Sequence, residues 1–282
     1  MQTRYKIPKY LNMAYTIAIL AGLSSCQQVI NVDLNSASPE IVIDGSISDQ
    51  PGPYTVTLSQ TVNYNEDNTF PPVTGAIVVI SDDAGNVDTL KEVTAGTYQT
   101  SKLQGVHNRT YTLSVTSNGE NYSATSTMPQ SVFIYSIAVV SGSISKDLNL
   151  LVSFFDPKDV DNYYHIFEEI TRVQSASRDT TLYTLGTTIS DRLSDGEEII
   201  FSLSSDPHQL KEGDTVLVSL QCVDKNVYNY FRTALQNGST STSLSNPVTN
   251  LSNGALGYFS AYAVRFKKIV IPKTATTDSI SN

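Results

Sequence analysis

The chain has 282 residues, with 27 acidic against 18 basic side chains and a formal net charge of −9. An acidic chain repels phosphate backbones, and its one basic cluster, Lys267, Lys268 and Lys273, is too small for a nucleic-acid footprint, so no nucleic-acid partner is expected. Only two cysteines occur, Cys26 and Cys222, which excludes a disulfide framework.

Arg4, Lys6 and Lys9 precede a mostly apolar run from Leu11 to Leu23. That run is too short to span a bilayer as a mature helix and matches the core of a secretory signal. It closes on Leu23-Ser24-Ser25-Cys26, the pattern of a bacterial lipobox, in which cleavage after Ser25 frees Cys26 for lipidation. Residues 1–25 are expected to be a lipoprotein signal peptide, and residues 26–38 the lipidated cysteine and a polar tether. Gln27 and Gln28 form no acidic surface-export signal, so the sequence leaves open which face of the outer membrane the body occupies. Cys222 then has no intramolecular partner; lying in an apolar strand pattern, it is expected to pack in a core.

Residues 39–128 read as short alternating strands separated by turns, the spacing of an antiparallel sandwich. In Thr55-Val56-Thr57-Leu58-Ser59 the apolar side chains fall on one face and the hydroxyls on the other. Asp82-Asp83-Ala84-Gly85-Asn86 has the composition of a turn, and Asn118-Gly119 predicts a hairpin through a primed turn. Pro129 marks a boundary, and residues 131–272 are expected to form a second β-rich domain. Its alternating runs are Phe133, Tyr135, Ile137 and Val139; Leu148, Leu150, Val152 and Phe154; and Val216, Val218, Leu220 and Cys222. One helix near 225–236 interrupts them: Val227, Tyr230, Phe231, Ala234 and Leu235 recur at helical spacing, with Asp224 as cap and Gly238 beyond the end. The Ser/Thr-rich stretch from Ser239 to Ser245 reads as a loop, and 273–282 as a flexible tail.

Several landmarks recur in one order: Glu40-Ile41-Val42-Ile43-Asp44-Gly45-Ser46-Ile47, Gly75 to Asp83, Gly96-Thr97-Tyr98, Asp161-Asn162-Tyr163-Tyr164, Val223-Asp224 before Tyr228-Asn229-Tyr230, Asn246-Pro247 with Asn250, and Asn253 to Phe259. With the lipobox, this set resembles the family labelled domain of unknown function 4249 (DUF4249), over nearly all of the mature chain. Ala255 stands where that pattern carries another Gly. The resemblance implies an outer-membrane lipoprotein of Bacteroidota, with an immunoglobulin-like or transthyretin-like N-terminal domain, often encoded beside a TonB-dependent receptor. It supplies no activity.

No residues assemble a catalytic pattern. Gly-x-Ser-x-Gly is absent, His107, His165 and His208 form no metal-ligand pair, and no Gly-rich phosphate loop occurs. No enzyme activity, catalytic residue or cofactor is expected. Asp156, Asp159 and Asp161 offer hard oxygen ligands within one loop, a weak calcium candidate without the EF-hand glycine and distal glutamate. There is no Trp; many of the 16 Tyr fall on apolar faces assigned to cores, and Tyr64, Tyr258 and Tyr262 are the ones expected in loops or edges, where a ring could stack on a sugar. The expected partner or ligand loop is Ser252 to Phe259, where Gly254 and Gly257 permit close approach and Leu256, Tyr258 and Phe259 offer apolar anchors. The expected role is a non-enzymatic accessory or ligand-binding partner of a TonB-dependent transporter; the alternative is a structural or adhesive surface lipoprotein.

Overall fold

Alternation of apolar and hydroxyl-bearing residues makes strands along most of this chain. The computed structural model describes residues 38–63, 66–67, 69–141, 147–174, 178–183, 186–203, 210–239 and 245–272; Ser25, Cys26, Tyr64, His208 and the tail at 273–282 lie outside them. The fold is mainly β. Its N-terminal strands are β1 (Ile41–Ser48), β2 (Thr55–Gln60), β3 (Ile77–Asp82), β4 (Val87–Thr89), β5 (Lys91–Thr94), β6 (Thr97–Gln99), β7 (Thr110–Ser117) and β8 (Glu120–Thr127). They are followed by β9 (Ile134–Ser141), β10 (Leu148–Phe155), β11 (Tyr163–Gln174), β12 (Arg178–Tyr183), β13 (Thr187–Ser190), β14 (Glu198–Leu203) and β15 (Thr215–Val223). The helix α1 (Lys225–Ser239) and the long strand β16 (Leu256–Val270) complete the order.

The expected hairpin joins β7 to β8, with Ser117 opposite Glu120 and both Asn118 and Gly119 at positive φ, as a primed turn requires. The Asp82 turn also forms: its carboxylate accepts the amides of Ala84 and Asn86 at 3.1 and 2.8 Å. The sheet β4-β3-β7-β8 packs its apolar face, including Val78, Ile80, Leu113 and Val115, against Ile43, Val56 and Leu58 of β1 and β2. The two layers come close at Gly45, where a Cβ would lie 3.5 Å from the Leu113 side chain. Tyr98 and Tyr111 are fully buried between them, and each hydroxyl has a backbone partner, Val73 O at 3.1 Å and Val106 N at 2.7 Å. Burying these rings without partners for their hydroxyls would cost roughly 1–3 kcal/mol each.

The largest sheet runs β12-β11-β15-β16-β1-β2-β6-β5 and so passes through both sequence segments. Its seam is β1 beside β16, a parallel pair running from Val42 opposite Leu256 to Ser48 opposite Tyr262. Gly257 makes the seam possible: it has φ of 93°, and a Cβ there would stand 2.2 Å from the carbonyl oxygen of Ile43. Asp49, just beyond β1, fastens the same seam. Its carboxylate accepts Val264 N at 3.0 Å and Arg265 Nη1 at 2.6 Å, and lies 3.0 Å from His107 Nε2. Burial alone would raise this carboxyl, but the hydrogen bonds from Arg265, Gln50, Val264 and His107 outweigh it and lower its pKa to about 2. Strands from Pro39 onward belong to one compact unit.

A third sheet, β14-β10-β9, corrects one expected face. Leu150, Val152 and Phe154 point inward as the alternation requires, but Phe133 and Tyr135 are exposed and Ile134 is buried. The cause is a bulge: Ser136 pairs with Ser153 and Ile134 with Phe154, so Tyr135 is the extra residue and the alternation changes phase there. Cys222 is 2% exposed in the core, where burial pushes its thiol up to about 12.

Candidate functional site

α1 starts where the sequence places it. Asp224 Oδ1 accepts the amides of Asn226 and Val227 at 2.8 and 3.0 Å, capping the first turn. Its other oxygen accepts Thr127 N at 3.2 Å and the Ser126 hydroxyl, so the cap also ties the helix to the end of β8. The helix runs to Ser239, past the expected end, and Gly238 lies within its last turn. Its apolar residues then have one surface to meet, the sheet face opposite the core. On β16 the residues Phe259, Ala261 and Ala263 enter the core, so Tyr258, Ser260 and Tyr262 face the helix.

Between α1 and this face lies a cleft of about 500 Å³. Tyr230, Phe231, Ala234 and Leu235 form its helical wall; His165 and Phe167 of β11 and Gln221 of β15 form the opposite side. The rings order one another. His165 stacks on Phe231 with centroids 4.0 Å apart and planes at 14°, and Tyr258 lies 4.7 Å from Tyr230 and edge-on to Phe231 at 4.9 Å. Burial first, and then the charge of Asp44, raises the Tyr230 hydroxyl to about 12; Tyr258 and Tyr262 are raised by burial too, so the three phenols stay neutral.

Polar groups in the cleft are few. Ser46 of β1 sits opposite Ser260 of β16, and Ser260 is 2% exposed with a hydroxyl that finds no hydrogen-bond partner among the described residues. Gln221 Oε1 lies 3.3 Å from His165 Nδ1, fixing the imidazole edge. Tyr262 pairs with the hydroxyls of Ser48 and Ser46, and Ser260 Oγ bonds to no base among the described residues, so the arrangement presents apolar ring surface with a few hydroxyls, the makings of a binding site.

The expected partner loop is only partly a surface. Gly254 occupies an exposed turn at φ of 73°, with Ser252 bonding Ser123 and Asn253 bonding Glu120 of the β7–β8 hairpin. From Leu256 onward the chain is strand: Gly257 is packed under Ile43, Phe259 is fully buried, and Tyr258 lines the cleft. Phe259 is therefore a core residue, its backbone bonded by both ends of the Asn250 amide at 2.8 and 3.0 Å. Tyr262, singled out with Tyr258 in the sequence, reaches the same cleft.

The acidic loop is also rearranged. Asp159 and Asp161 are exposed, and the carboxylate that Asp156 approaches belongs to neither: Asp156, Asp191 and Asp195 place oxygens within 4.8 Å of one another. Those oxygens already accept bonds from the Tyr164 hydroxyl, Gly196 N at 3.2 Å, Asn162 N at 2.6 Å and Asp159 N at 2.8 Å. Burial, followed by the charges of Asp156, Asp161 and Asp195, raises the Asp191 carboxyl. A broad depression of about 740 Å³ beside this cluster is walled mainly by charges of both signs, Asp159, Asp195, Arg192, Lys225 and Arg232 among them, with one ring pair, Tyr163 and Tyr228, at 5.1 Å.

A family model described as Domain of unknown function (DUF4249) matches residues 27–268. No curated protein matches the sequence.

Proposed function

Because this chain belongs to the DUF4249 family, whose description names no activity, we propose its function from the site: a lipid-anchored, non-enzymatic ligand-binding protein of the outer membrane that serves as an accessory to a TonB-dependent transporter. The observation that carries the reading is the ring-walled cleft under α1, of the size and largely apolar character of small-molecule sites. The lipobox at Cys26 supports the anchor, and the outer-membrane address is what the chain's resemblance to its family implies. A partner surface is available on the outer face of the β14-β10-β9 sheet, where Tyr135, Phe155 and Ile200 are all more than half exposed and the Tyr135 and Phe155 rings lie 5.1 Å apart.

The test is crosslinking and mass spectrometry of the tagged protein in native outer membranes, beside a Cys26→Ala control. Capture of a transporter that is lost in the control supports the reading. Recovery of the lipoprotein alone, with deletion causing loss of attachment and no uptake defect, replaces it with the adhesive role.

A further inference from the structure

We infer that the cleft selects an organic cation, a flat apolar body seated between α1 and β16 whose ammonium group is held at Asp44. The inference rests on the reading of the cleft as a ligand site and assigns that ligand's charge and shape.

Asp44 lies on β1 directly across the parallel seam from Tyr258, two residues before Ser46 on the same strand face. Its carboxylate projects over Gly257, with Oδ1 3.1 Å from where a Cβ of that residue would stand. Among the described residues this carboxylate has no hydrogen bond and no ion pair, in contrast to Asp49, Asp82 and Asp214, each of which meets an arginine within 2.7 Å. Asp44 is an exposed residue, and the protein packed around it still raises its carboxyl above the ordinary carboxylate value. An anion so placed is completed by a cation from solution.

The neighbouring surface suits the same charge. Tyr230 and Tyr258 lie beside each other at 4.7 Å, and both phenols feel the Asp44 charge. Aromatic faces attract an ammonium through their quadrupole. Among the described residues no Lys or Arg lines the cleft, and the net charge of −9 raises the local concentration of cations. Beyond the rings, Phe167, Ala234 and Leu235 offer apolar wall for a flat body, and Ser260, whose hydroxyl has no hydrogen-bond partner among the described residues, lies buried in the same lining.

The experiment is calorimetric titration of the full chain with three probes that share an indole ring and differ in charge: tryptamine, 3-methylindole and indole-3-propionate. The expected order is tryptamine about tenfold tighter than 3-methylindole, with indole-3-propionate weakest, since tenfold corresponds to about 1.4 kcal/mol of combined ion-pair and cation–π attraction. Asp44→Asn should bring tryptamine to the affinity of the neutral probe, and Ala234→Phe, which fills the cleft, should abolish binding of all three. Equal affinities for the three probes, or an Asp44→Asn variant that keeps its preference for tryptamine, overturn the cation assignment and leave the cleft as a ligand site. Failure of all three to bind at millimolar concentration overturns the assignment and the ligand-site reading with it.

Discussion

Replacing Asp49 by Asn tests the seam that holds β1 beside β16. The substitution keeps shape and removes charge, and its effect follows from the lowered pKa. A carboxyl with an ordinary value of 3.8 in the unfolded chain and about 2 in the fold stabilises the folded state by about 2 kcal/mol when ionised, at about 1.4 kcal/mol per tenfold change in proton affinity. Because the folded value is the lower one, this stabilisation is complete above pH 3.8 and is lost as pH falls from there through 2. The Asp49 side chain is only 8% exposed, so solvent screening leaves most of the effect in place. Urea and thermal denaturation of wild type and Asp49→Asn from pH 2 to 6 should therefore show a difference of about 2 kcal/mol at pH 6, or about 4–8 °C in Tm for a chain of this size, closing towards zero at pH 2. Other lowered carboxyls, such as those of Asp82 and Asp88, cancel in the difference. A difference that is constant across the pH range, or absent at pH 6, would refute the argument that Arg265, His107 and Val264 hold an ionised Asp49.

Three further outcomes follow from the same structure. Gly257→Ala should destabilise the fold by about 3 kcal/mol or more in urea denaturation, since the residue combines φ of 93° with a Cβ 2.2 Å from Ile43 O; unchanged stability would contradict the parallel seam. Asp224→Ala should cost about 1–2 kcal/mol through the lost cap, and a double-mutant cycle with Ser126→Ala should give a coupling above about 0.5 kcal/mol; additivity would mean that the helix start is not tied to β8. Cys222 should resist a thiol reagent at pH 8 in the native protein and react fully in denaturant, because the thiol is buried and raised to about 12; rapid native labelling would place it at the surface.

Local patterns in the sequence were legible because they are caused locally. Alternation placed β2, β7, β10 and β15, Asn118-Gly119 named the hairpin, and Asp224 marked the helix start. The features that failed depend on partners distant in sequence. A parallel pairing between Ile43 and Gly257 leaves no period in either strand, and the bulge at Tyr135 shifted a face that strict alternation had placed inward. Gly238 was read as a stop, yet the helix tolerates it in its last turn. The cleft was half visible. Tyr258 and Tyr262 stood out as tyrosines of loops or edges, whereas nothing in the sequence marks Ser46, Gln221 or Ser260 as cleft residues. His165 packs against a helix that begins 60 residues later, whose register no strand pattern specifies. Asp156 was found with the wrong companions for the same reason, because Asp191 and Asp195 come from a separate turn.

The claim that this protein works by holding a ligand under α1 is tested most directly by native mass spectrometry of the protein released gently from outer membranes, wild type beside Ala234→Phe. A bound small molecule on the wild type that is absent from the variant is the expected result. Identical masses for the two, apart from the substitution itself, would show that the cleft carries nothing in the cell and would contradict the account.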